Sequence, residues 1–343
     1  MSGADILVIG AGLGGLAAAR DLSAAGQTVT LLDKARGVSG RAATRRVTLS
    51  DGREARLDHG ARYFTARHGR THTLAEGGVR DGWNAVWTRG VPHWHAGTVS
   101  GAADGHPRYA PPQGMSALGR TLARGLNLET GVTVTSLERR AGLWRVHTRE
   151  GLAAEASRLV LNLPAPQLVT VLEGVDLRGS GSEGPALEAA RVEYAPCWVA
   201  GAVLQTDIPG TWPALRADHP VLEWLARELT KRPPGHPPAL MLHATPAWSA
   251  ANLERSPEDV LPELLTAASQ IAGPLPEVEA AFAHRWRYAI PTRRAPGACH
   301  WDAALGLGWC GDWFTPDDHG PRVEAALLSG WSLARRVLHP QAE

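Results

Sequence analysis

Three glycines near the amino end have the spacing of a dinucleotide-binding loop. Gly10, Gly12 and Gly15 form a GxGxxG motif directly after the aliphatic run Ile6 to Ile9, which predicts a strand of a parallel sheet, and at the start of a predicted helix. Gly10 would permit the tight turn, Gly12 would let backbone approach a pyrophosphate, and Gly15 would let the helix lie close to the sheet. Unpaired N–H groups at the helix start would then face the phosphates.

An acidic residue completes the pattern. Asp33 follows the second predicted strand, Thr28 to Leu32, where its carboxylate is placed to accept hydrogen bonds from the ribose hydroxyls of an adenosine. The alternative is a tight strand-to-helix turn whose small residues serve packing alone. Strand, helix and acid together favour the nucleotide. Both NAD and FAD contain ADP, so these residues leave the choice of cofactor open.

Length and charge narrow the class of protein. The chain of 343 residues predicts two domains, although one domain remains possible. Apolar residues make up 44% and charged residues 20%, as in an ordinary globular protein. With 35 basic and 34 acidic residues the net charge is +1, so no global field exists to attract nucleic acid or a membrane surface. Small molecules are the expected partners.

The cysteines and the amino end favour a reducing compartment. Cys197, Cys299 and Cys310 are an odd set without CxxC spacing, which predicts small apolar filler rather than a disulfide framework or a zinc site. Met1 to Asp5 is too short for the charged region of a signal sequence, and no apolar run approaches the ~20 residues of a membrane span. The predicted location is the cytoplasm.

Strand and helix patterns alternate along the rest of the chain. Further strands are predicted at Val132–Leu137, Trp144–Thr148, Leu159–Leu163, Arg191–Leu204, Ala239–Thr245, Ala283–Ala289 and Gly306–Cys310. Helices are predicted at Met115–Leu126, Pro257–Ala272 and Arg322–Val337, turns at Arg140–Gly142 and Arg149–Leu152, and loops at Gly179–Pro185 and Lys231–Pro238. The pattern predicts an α/β nucleotide-binding domain interrupted by a second, mostly antiparallel domain.

The segment after Asp33 carries a family resemblance. Lys34 to Thr44 resembles the second glycine-arginine signature of the FAD-dependent amine oxidase superfamily, and Leu57–Thr65 and Ala110–Ser116 are similar to renalase-like enzymes. Leu161–Pro166, Leu242–Ala244 and His284–Tyr288 also look like segments of that family, so the resemblance spans nearly the whole chain. Trp309 to Asp312, followed by a helix, resembles the final FAD motif of the superfamily.

The resemblance implies a non-covalently bound FAD and a set of contacts to it. The implied cofactor-binding residues are Gly10, Gly12, Leu13, Gly14, Gly15, Asp33, Lys34, Gly40, Arg41, Gly60, Ala61, Val134, Gly311, Asp312 and Val323. The carboxyl-terminal helix would direct its positive end at the flavin. Asp312 is alternatively a solvated turn residue.

The implied fold is a Rossmann-like FAD-binding domain of the GR2, amine oxidase type, with an inserted, mostly antiparallel β-sheet substrate domain. Residues 1–63, 109–164 and 295–343 would form the discontinuous FAD-binding domain, and residues 64–108 and 165–294 the substrate domain.

The sequence departs from the family pattern at three points. Ser39-Gly40 stands where the family has a glycine pair, Ala42 where methionine is common, and Arg62 where glutamine is usual. Arg62 places a cation where relatives have a neutral amide.

The lysines bear on the type of chemistry. Amine oxidases of the superfamily typically hold a buried lysine near the flavin, and Lys34 and Lys231 are the only lysines of this chain. Lys34 lies in the cofactor segment and Lys231 in a stretch that predicts an exposed loop. A standard amine oxidase site is therefore not expected.

Renalase-like enzymes oxidise misreduced isomers of NAD(P)H, passing hydride to FAD and then electrons to oxygen to give peroxide. On this implication the substrate cavity is lined by Tyr63, His243, Trp286 and Tyr288, and Arg62 or Arg287 binds substrate phosphates. The alternative for Trp286 and for His243 is a place in the core, because the chain has 13 tryptophans and a lone histidine in an apolar strand is commonly a hydrogen-bonded core residue.

Other interpretations stay open. His93, His95 and His106 match no familiar metal-ligand spacing and are predicted to lie in a surface loop, with no metal site. The rival functions are an amine oxidase or desaturase of the same superfamily, and a flavin-binding redox protein without turnover.

Overall fold

The computed structural model describes residues 4–101, 103–318, 320 and 322–340. Contacts along the backbone divide the chain into two compact units. Unit 1 comprises Met1–Arg41, Leu118–Glu193 and Pro291–Glu343, and unit 2 comprises Ala42–Ala117 and Tyr194–Ile290. The domain boundaries expected from cofactor binding stay a prediction. Among the described residues, no helix has the length and apolar character that crossing a membrane requires.

The elements follow in chain order. The strands are β1 (Ala4–Ile9), β2 (Val29–Asp33), β3 (Arg45–Thr48), β4 (Glu54–Leu57), β5 (Val86–Thr88), β6 (His93–His95), β7 (Thr98–Ser100), β8 (Arg108–Tyr109), β9 (Asn127–Thr130), β10 (Ser136–Arg140), β11 (Leu143–Thr148), β12 (Gly151–Leu161), β13 (Glu193–Leu204), β14 (Ala214–Ala217), β15 (Leu222–Arg227), β16 (Ala239–Ala244), β17 (Val278–Arg293), β18 (His300–Asp302) and β19 (Leu307–Trp309). The α-helices are α1 (Leu13–Ala24), α2 (Gly69–Arg80), α3 (Ser116–Ala123), α4 (Ala165–Leu172), α5 (Glu183–Ala190), α6 (Pro246–Ala251), α7 (Pro257–Ala272) and α8 (Val323–Leu338), and Glu228–Lys231 forms a 3-10 helix.

An eight-stranded sheet forms the centre of unit 1. Its main path runs β10-β11-β12-β1-β2-β9, and β19 pairs with the end of β12. The pairings β12–β1, β1–β2, β2–β9 and β12–β19 are parallel. Ile6–Ile9 and Leu159–Leu161 are buried aliphatic runs, as expected for strands covered on both faces. The predicted Rossmann-like fold is confirmed.

Helices α1 and α8 approach each other at two glycines. A Cβ on Gly330 of α8 would overlap the carbonyl oxygen of Gly14 in α1. Eight residues of α1 are buried, Leu13–Ala19 and Leu22, so the helix is enclosed along most of its length. Only the absence of a side chain allows this distance between the two helix backbones.

A seven-stranded sheet forms the centre of unit 2, in the order β17-β13-β16-β15-β14-β6-β7. The pairings β13–β16, β15–β16, β14–β15 and β6–β7 are antiparallel, and β14–β6 is parallel. The mostly antiparallel second sheet that the sequence predicted is therefore present.

The two faces of this second sheet have different coverings. Leu240 and Leu242 pack with Val260 and Leu264 of α7 on what we call the helix face. Alternate side chains such as Met241 point the other way. They join a second cluster that includes Leu57 at the end of β4, and we call this side of the sheet the β4 face.

Helix α7 shows how local signals set boundaries. The Ser256 side chain accepts a hydrogen bond from the backbone N–H of Asp259, Pro257 opens the helix, and Gly273 ends it at a φ of 83°. The predicted bounds, Pro257 to Ala272, are confirmed.

Several predicted elements were wrong in part. The strand expected at 132–137 begins only at Ser136, because residues 131 and 132 donate backbone hydrogen bonds to Ala35 and Asp33 in a loop instead. The helix expected at 115–126 covers 116–123, and the edge strand β9 begins at Asn127. Helix α5 begins inside the predicted loop 179–185, and β12 begins inside the predicted turn 149–152.

Replacing Gly330 by alanine tests the helix contact. We expect Gly330→Ala to lower the free energy of unfolding by about 2 kcal/mol, because the new methyl group overlaps backbone that cannot move aside cheaply. Urea denaturation measures the change. The matched control is Gly184→Ala in α5, where a Cβ meets nothing, and equal destabilisation by both variants would contradict the explanation.

Buried His300 makes unit 1 sensitive to acid. Burial lowers its pKa to about 4, against the opposing effect of Asp302, while the pKa in the unfolded chain is about 6.5. Between these values the unfolded state binds more protons, so stability falls as the pH drops from about 6.5 to 4. We expect His300→Asn to make this fall shallower, by up to about 1 kcal/mol per pH unit. Urea denaturation across this range measures the slope, and the exposed control His106→Asn should leave it unchanged.

Candidate functional site

The glycine loop packs against one asparagine. Gly10 has a φ of 100°, and a Cβ there would overlap the carbonyl oxygen of Asn162. A Cβ on Gly12 would lie 2.7 Å from Asn162 Oδ1, and one on Gly14 would lie 2.8 Å from Asn162 Nδ2. A Cβ on Gly15 would overlap the carbonyl oxygen of Gly10. The motif therefore has a steric basis in this chain besides any ligand.

Asn162 is a site residue that the sequence interpretation missed. Its backbone N–H donates to the carbonyl of Ile9 at 2.7 Å, and its Nδ2 donates to the carbonyl of Cys310 at 3.0 Å. Asn162 thus joins the carboxyl ends of β1, β12 and β19, the edge where ligands bind in open α/β sheets. The available signal was its position directly after a buried strand.

The start of α1 presents unpaired donors. Gly12 caps the helix without a side-chain hydrogen bond, and the first intrahelical bond runs from the N–H of Leu16 to the carbonyl of Gly12. The preceding amides, which include those of Leu13 and Gly14, have no partner within the helix. Together with the helix dipole they form a site suited to a phosphate.

Asp33 is held by backbone close to these donors. Its Oδ2 accepts from the N–H of Ala11 at 2.6 Å, and its Oδ1 accepts from the N–H of Ala35 at 2.7 Å. Each carboxylate oxygen keeps a second lone pair, so the side chain can still accept hydrogen bonds from ribose hydroxyls.

The glycine-arginine segment returns to the same loop. The N–H of Ser39 donates to the carbonyl of Ala11 at 2.9 Å. Gly40 has a φ of 53°, and a Cβ there would lie 3.3 Å from the Cα of Gly12. Arg41 then forms an ion pair with Asp312 Oδ1 at 2.5 Å. The structure therefore brings together two predicted cofactor residues that are far apart in sequence.

Three other predicted residues lie around this core of the site. Lys34 is exposed and its Nζ donates to Gln167 Oε1 at 3.3 Å. Val134 lies in the loop between β9 and β10 and is partly buried. Gly311 donates its N–H to Ser329 Oγ at 2.9 Å, which places it against α8.

Helix α8 begins at Val323, one residue after the predicted start at Arg322. Its N-cap residue, Arg322, makes no side-chain capping bond and instead pairs with Asp317 at 2.7 Å and Glu324 at 2.6 Å. The unit 1 residues together supply backbone donors, a ribose acceptor and a helix start, which fits the ADP portion of a dinucleotide.

A short irregular segment crosses the β4 face in unit 2. We call residues Asp58–Tyr63 the strap. The carbonyl of His59 accepts a hydrogen bond from Trp286 Nε1 at 2.6 Å, and the carbonyl of Gly60 accepts one from His243 Nε2 at 3.2 Å. Within the described residues the N–H groups of Gly60 and Ala61 have no hydrogen-bond partner.

Neutral rings surround the strap. His59 stacks on Trp286 at 5.4 Å between ring centroids. Burial, followed by the charge of His284, lowers the pKa of His59 to about 4. Burial and then the charge of Arg62 hold the pKa of His243 well below its usual value. Both imidazoles are uncharged near neutral pH. Since His243 Nε2–H donates to Gly60, its Nδ1 carries a lone pair, and this buried atom has no hydrogen-bond partner in the part of the chain that the structure describes.

Arg62 is engaged by its neighbours. It forms an ion pair with Glu223, and its guanidinium lies 4.8 Å from the ring centroid of Trp224. The ring of Tyr63 lies 5.9 Å from that of Trp224. Strand pairing sets Trp224 opposite His243, so Arg62, Tyr63 and His243 share the β4 face.

Arg287 and Trp286 lie on opposite faces of β17. Arg287 pairs with Glu254 at 2.7 Å, and the side chain of the alternate residue Arg285 lies over Trp198 of the helix face. Successive residues of a strand point to opposite sides, so Arg287 is not near the strap. Tyr288 packs edge-on against Tyr194, with 5.5 Å between the ring centroids.

The expectation that Lys231 lies in an exposed loop was wrong. Its side chain is 1% exposed, and its Nζ donates to Glu228 at 2.7 Å and to Asp58 at 3.4 Å. Arg232 completes a buried group of four charges that we call the quartet. Burial opposes ionisation of Asp58, but Arg232 and Lys231 outweigh it and hold the pKa of Asp58 below its usual value. In the sequence, Thr230-Lys231-Arg232 stands directly before two prolines, and nothing in that stretch indicates that Lys231 pairs with the distant Asp58.

The prediction that His93, His95 and His106 lie in a surface loop was also wrong in part. His93 and His95 belong to strand β6 and contact the two oxygens of Asp218 at 2.9 Å and 3.1 Å, whereas His106 lies in irregular backbone. Among the described residues no group of acidic, histidine and cysteine side chains is arranged to hold a metal ion.

Two family models match the chain. Residues 8–76 match the NAD(P)-binding Rossmann-like domain, and residues 90–338 match the flavin containing amine oxidoreductase family. The second match spans well over half of the chain.

Individual proteins agree with the family match. Renalase of Mus musculus is 25% identical over 94% of this chain and 96% of the mouse protein. A putative protoporphyrinogen oxidase of Exiguobacterium has a TM-score of 0.71 at 12% identity, covering 99% of this chain and 100% of its own. Cyclohexylamine oxidase of Brevibacterium oxydans has a TM-score of 0.74 at 13% identity, covering 98% and 99%. At that identity these structures show a common fold alone. The chain belongs to the flavin containing amine oxidoreductase family, and it is a renalase-like FAD-dependent oxidoreductase.

Proposed function

We propose that the protein is an oxidase of misreduced dihydro-NAD(P) isomers. Bound FAD would supply the acceptor for hydride from the dihydropyridine ring, and oxygen would reoxidise it with formation of hydrogen peroxide. The observation that carries the proposal is the set of uncharged rings on the β4 face, formed by His59, His243 and Trp286. The similarity to mouse renalase supports it.

Non-covalent FAD binding is part of the proposal. The amides at the start of α1 hold the diphosphate, and Asp33 holds the adenosine ribose. When bound, the flavin supplies a hydride acceptor. Burial raises the pKa of Cys197 to about 12 and that of Cys299 to about 11, and Cys310 is also buried, so none of these thiols is prepared to form a covalent link.

The residues of the β4 face orient the substrate. Trp286 and Tyr63 offer aromatic surfaces for a nicotinamide-sized ring, and the amides of Gly60 and Ala61 are available to donate hydrogen bonds to a bound ligand. A dihydropyridine is already a strong hydride donor, so alignment is the main requirement and no general base is needed. A neutral His243 is consistent with this chemistry, because hydride transfer does not require this imidazole to take up or release a proton.

An amine oxidase is the second candidate. The buried position of Lys231 favours it, since related amine oxidases hold a buried lysine. However, the Lys231 ammonium is already bonded to two carboxylates, and Lys34 is exposed. A paired ammonium in the quartet is not available to fix a water beside the flavin. The renalase-like activity therefore remains the leading proposal.

The proposed domains are those of the cofactor and the substrate. Residues 1–63, 109–164 and 295–343 bind FAD, and residues 64–108 and 165–294 shape the substrate site. Oxygen is the proposed electron acceptor. The near-zero net charge favours small-molecule partners rather than nucleic acid.

Stopped-flow absorbance of the bound flavin tests the function. We expect rapid bleaching by the 2- and 6-dihydro isomers of NAD(P), slow bleaching by ordinary NADH, and slow bleaching by benzylamine or spermine. Peroxide should then appear in step with turnover in air. Faster reduction by either amine would replace this proposal with the amine oxidase. A protein that takes up no FAD would remove both.

Replacing Trp286 tests the substrate face. Trp286→Ala should weaken binding of the dihydro isomer about tenfold, because a stacking surface is lost, while FAD content stays unchanged. The dependence of the reduction rate on substrate concentration measures binding, and the visible spectrum measures FAD. Arg287→Ala on the opposite face should have no such effect. Loss of FAD from Trp286→Ala would assign this residue to the cofactor instead.

A further inference from the structure

Four charges are buried together beneath the strap. The side chains of Asp58, Glu228 and Arg232 are 0% exposed, and that of Lys231 is 1% exposed. Arg232 Nη2 lies 2.6 Å from Asp58 Oδ2 and 2.5 Å from Glu228 Oε2. Two acids and two bases give the quartet no net charge. Removing one member would leave an unpaired charge in the interior, which is strongly unfavourable.

The quartet holds the strap at its first residue. The N–H of Asp58 donates to Glu228 Oε2 at 3.2 Å. Asp58 Oδ1 accepts from the hydroxyl of Thr44 and from the N–H of Met115, each at 2.8 Å. Asp58 therefore fixes the strap to the 3-10 helix and to two segments that are distant in sequence.

Arg232 also binds two backbone carbonyls outside the quartet. Its Nε donates to the carbonyl of Arg56 at 3.2 Å, and its Nη1 donates to the carbonyl of Pro111 at 3.2 Å. The guanidinium thus uses all three nitrogens in directed bonds. The start of the strap is therefore held by the hydrogen bonds and ion pairs of Asp58 and Arg232, rather than by strand pairing or apolar packing.

The strap has two hydrogen bonds immediately beyond this anchor. The carbonyls of His59 and Gly60 accept from Trp286 and His243, one and two residues after Asp58. A shift of the strap would move both acceptors away from their donors. Such hydrogen bonds weaken steeply with distance and angle.

We propose that Glu228, Lys231 and Arg232 are positioning residues, which act through Asp58 to set the strap where its carbonyls orient Trp286 and His243 toward the substrate. The inference deepens the proposed function and rests on it for the identity of the substrate. Lys231 acts through the quartet and not on the reacting atoms. Its role is to balance the second carboxylate of the quartet.

Three variants and a control test the role. Glu228→Gln and Lys231→Met each leave one charge unbalanced, and the double variant restores neutrality with the Asp58–Arg232 pair intact. The control, Arg227→Met, breaks a pair with Asp207 in the same unit that does not contact the strap. All are compared as flavin-loaded protein below their unfolding temperatures.

The first measurement is the limiting rate of flavin reduction by a 6-dihydro isomer of NAD. We expect each single variant to lower it at least tenfold per bound flavin, and the double variant to recover it to within about threefold of wild type. Arg227→Met should lower thermal stability alone. If both single variants reduce stability but keep the limiting rate within threefold, the quartet is only structural and the proposal is overturned.

The second measurement does not depend on activity. In protein labelled with ¹⁵N-histidine, the His243 Nε2–H bonded to the Gly60 carbonyl gives a slowly exchanging proton resonance, assigned by its loss in His243→Asn. We expect this resonance to be lost or to exchange rapidly in the single variants and to persist in the double variant and the control. Persistence in both single variants overturns the positioning role.

If wild type is not reduced by the isomer but the resonance behaves as expected, the substrate assignment fails and the positioning role stands. If the single variants do not fold, the double variant and Lys231→Arg, which keeps the charge balanced, carry both measurements. Loss of the resonance in both of these would overturn the role.

Discussion

The close approach of helix α1 to the ends of the parallel strands is the constraint on which unit 1 depends. Asn162 packs against the glycine loop, and a side chain at Gly10 or Gly15 would overlap backbone. The loop is therefore forced into a turn that leaves the first amides of α1 unpaired. Unpaired donors at a helix start favour an anion, so the same packing that closes the loop leaves a helix start suited to a phosphate.

Unit 2 is organised by a different constraint, which is the cost of burying charge. Its β4 face is apolar, and the rings of His59 and His243 stay neutral because burial disfavours their protonated forms. Where full charges are buried, as at Lys231 and Arg232, each has an acidic partner within hydrogen-bond distance. A face built in this way suits an aromatic substrate that gives up hydride more than one that must first lose a proton.

The sequence predicted element bounds correctly where residues next to the element determine them. The bounds of α7 follow from Ser256, Pro257 and Gly273, which act within one turn of the helix ends. Strand β9 and helix α5 were missed, because neither has a strong period of its own. The first is an edge strand that depends on pairing with β2, and the second starts in a stretch rich in glycine and serine.

The sequence by itself determined the local pattern that predicts a nucleotide-binding loop. Gly10, Gly12 and Gly15 set the backbone geometry and Asp33 supplies a carboxylate, all within one βαβ segment, so their spacing carries the information. Only the tertiary structure decided the positions of Lys231 and Arg287. A hydrophilic stretch such as 228–232 becomes interior only if partners from elsewhere in the chain neutralise it, and the face that Arg287 occupies depends on the register of β17 in its sheet. Burial and facing are properties of contacts between distant segments, and no pattern of neighbouring residues encodes them.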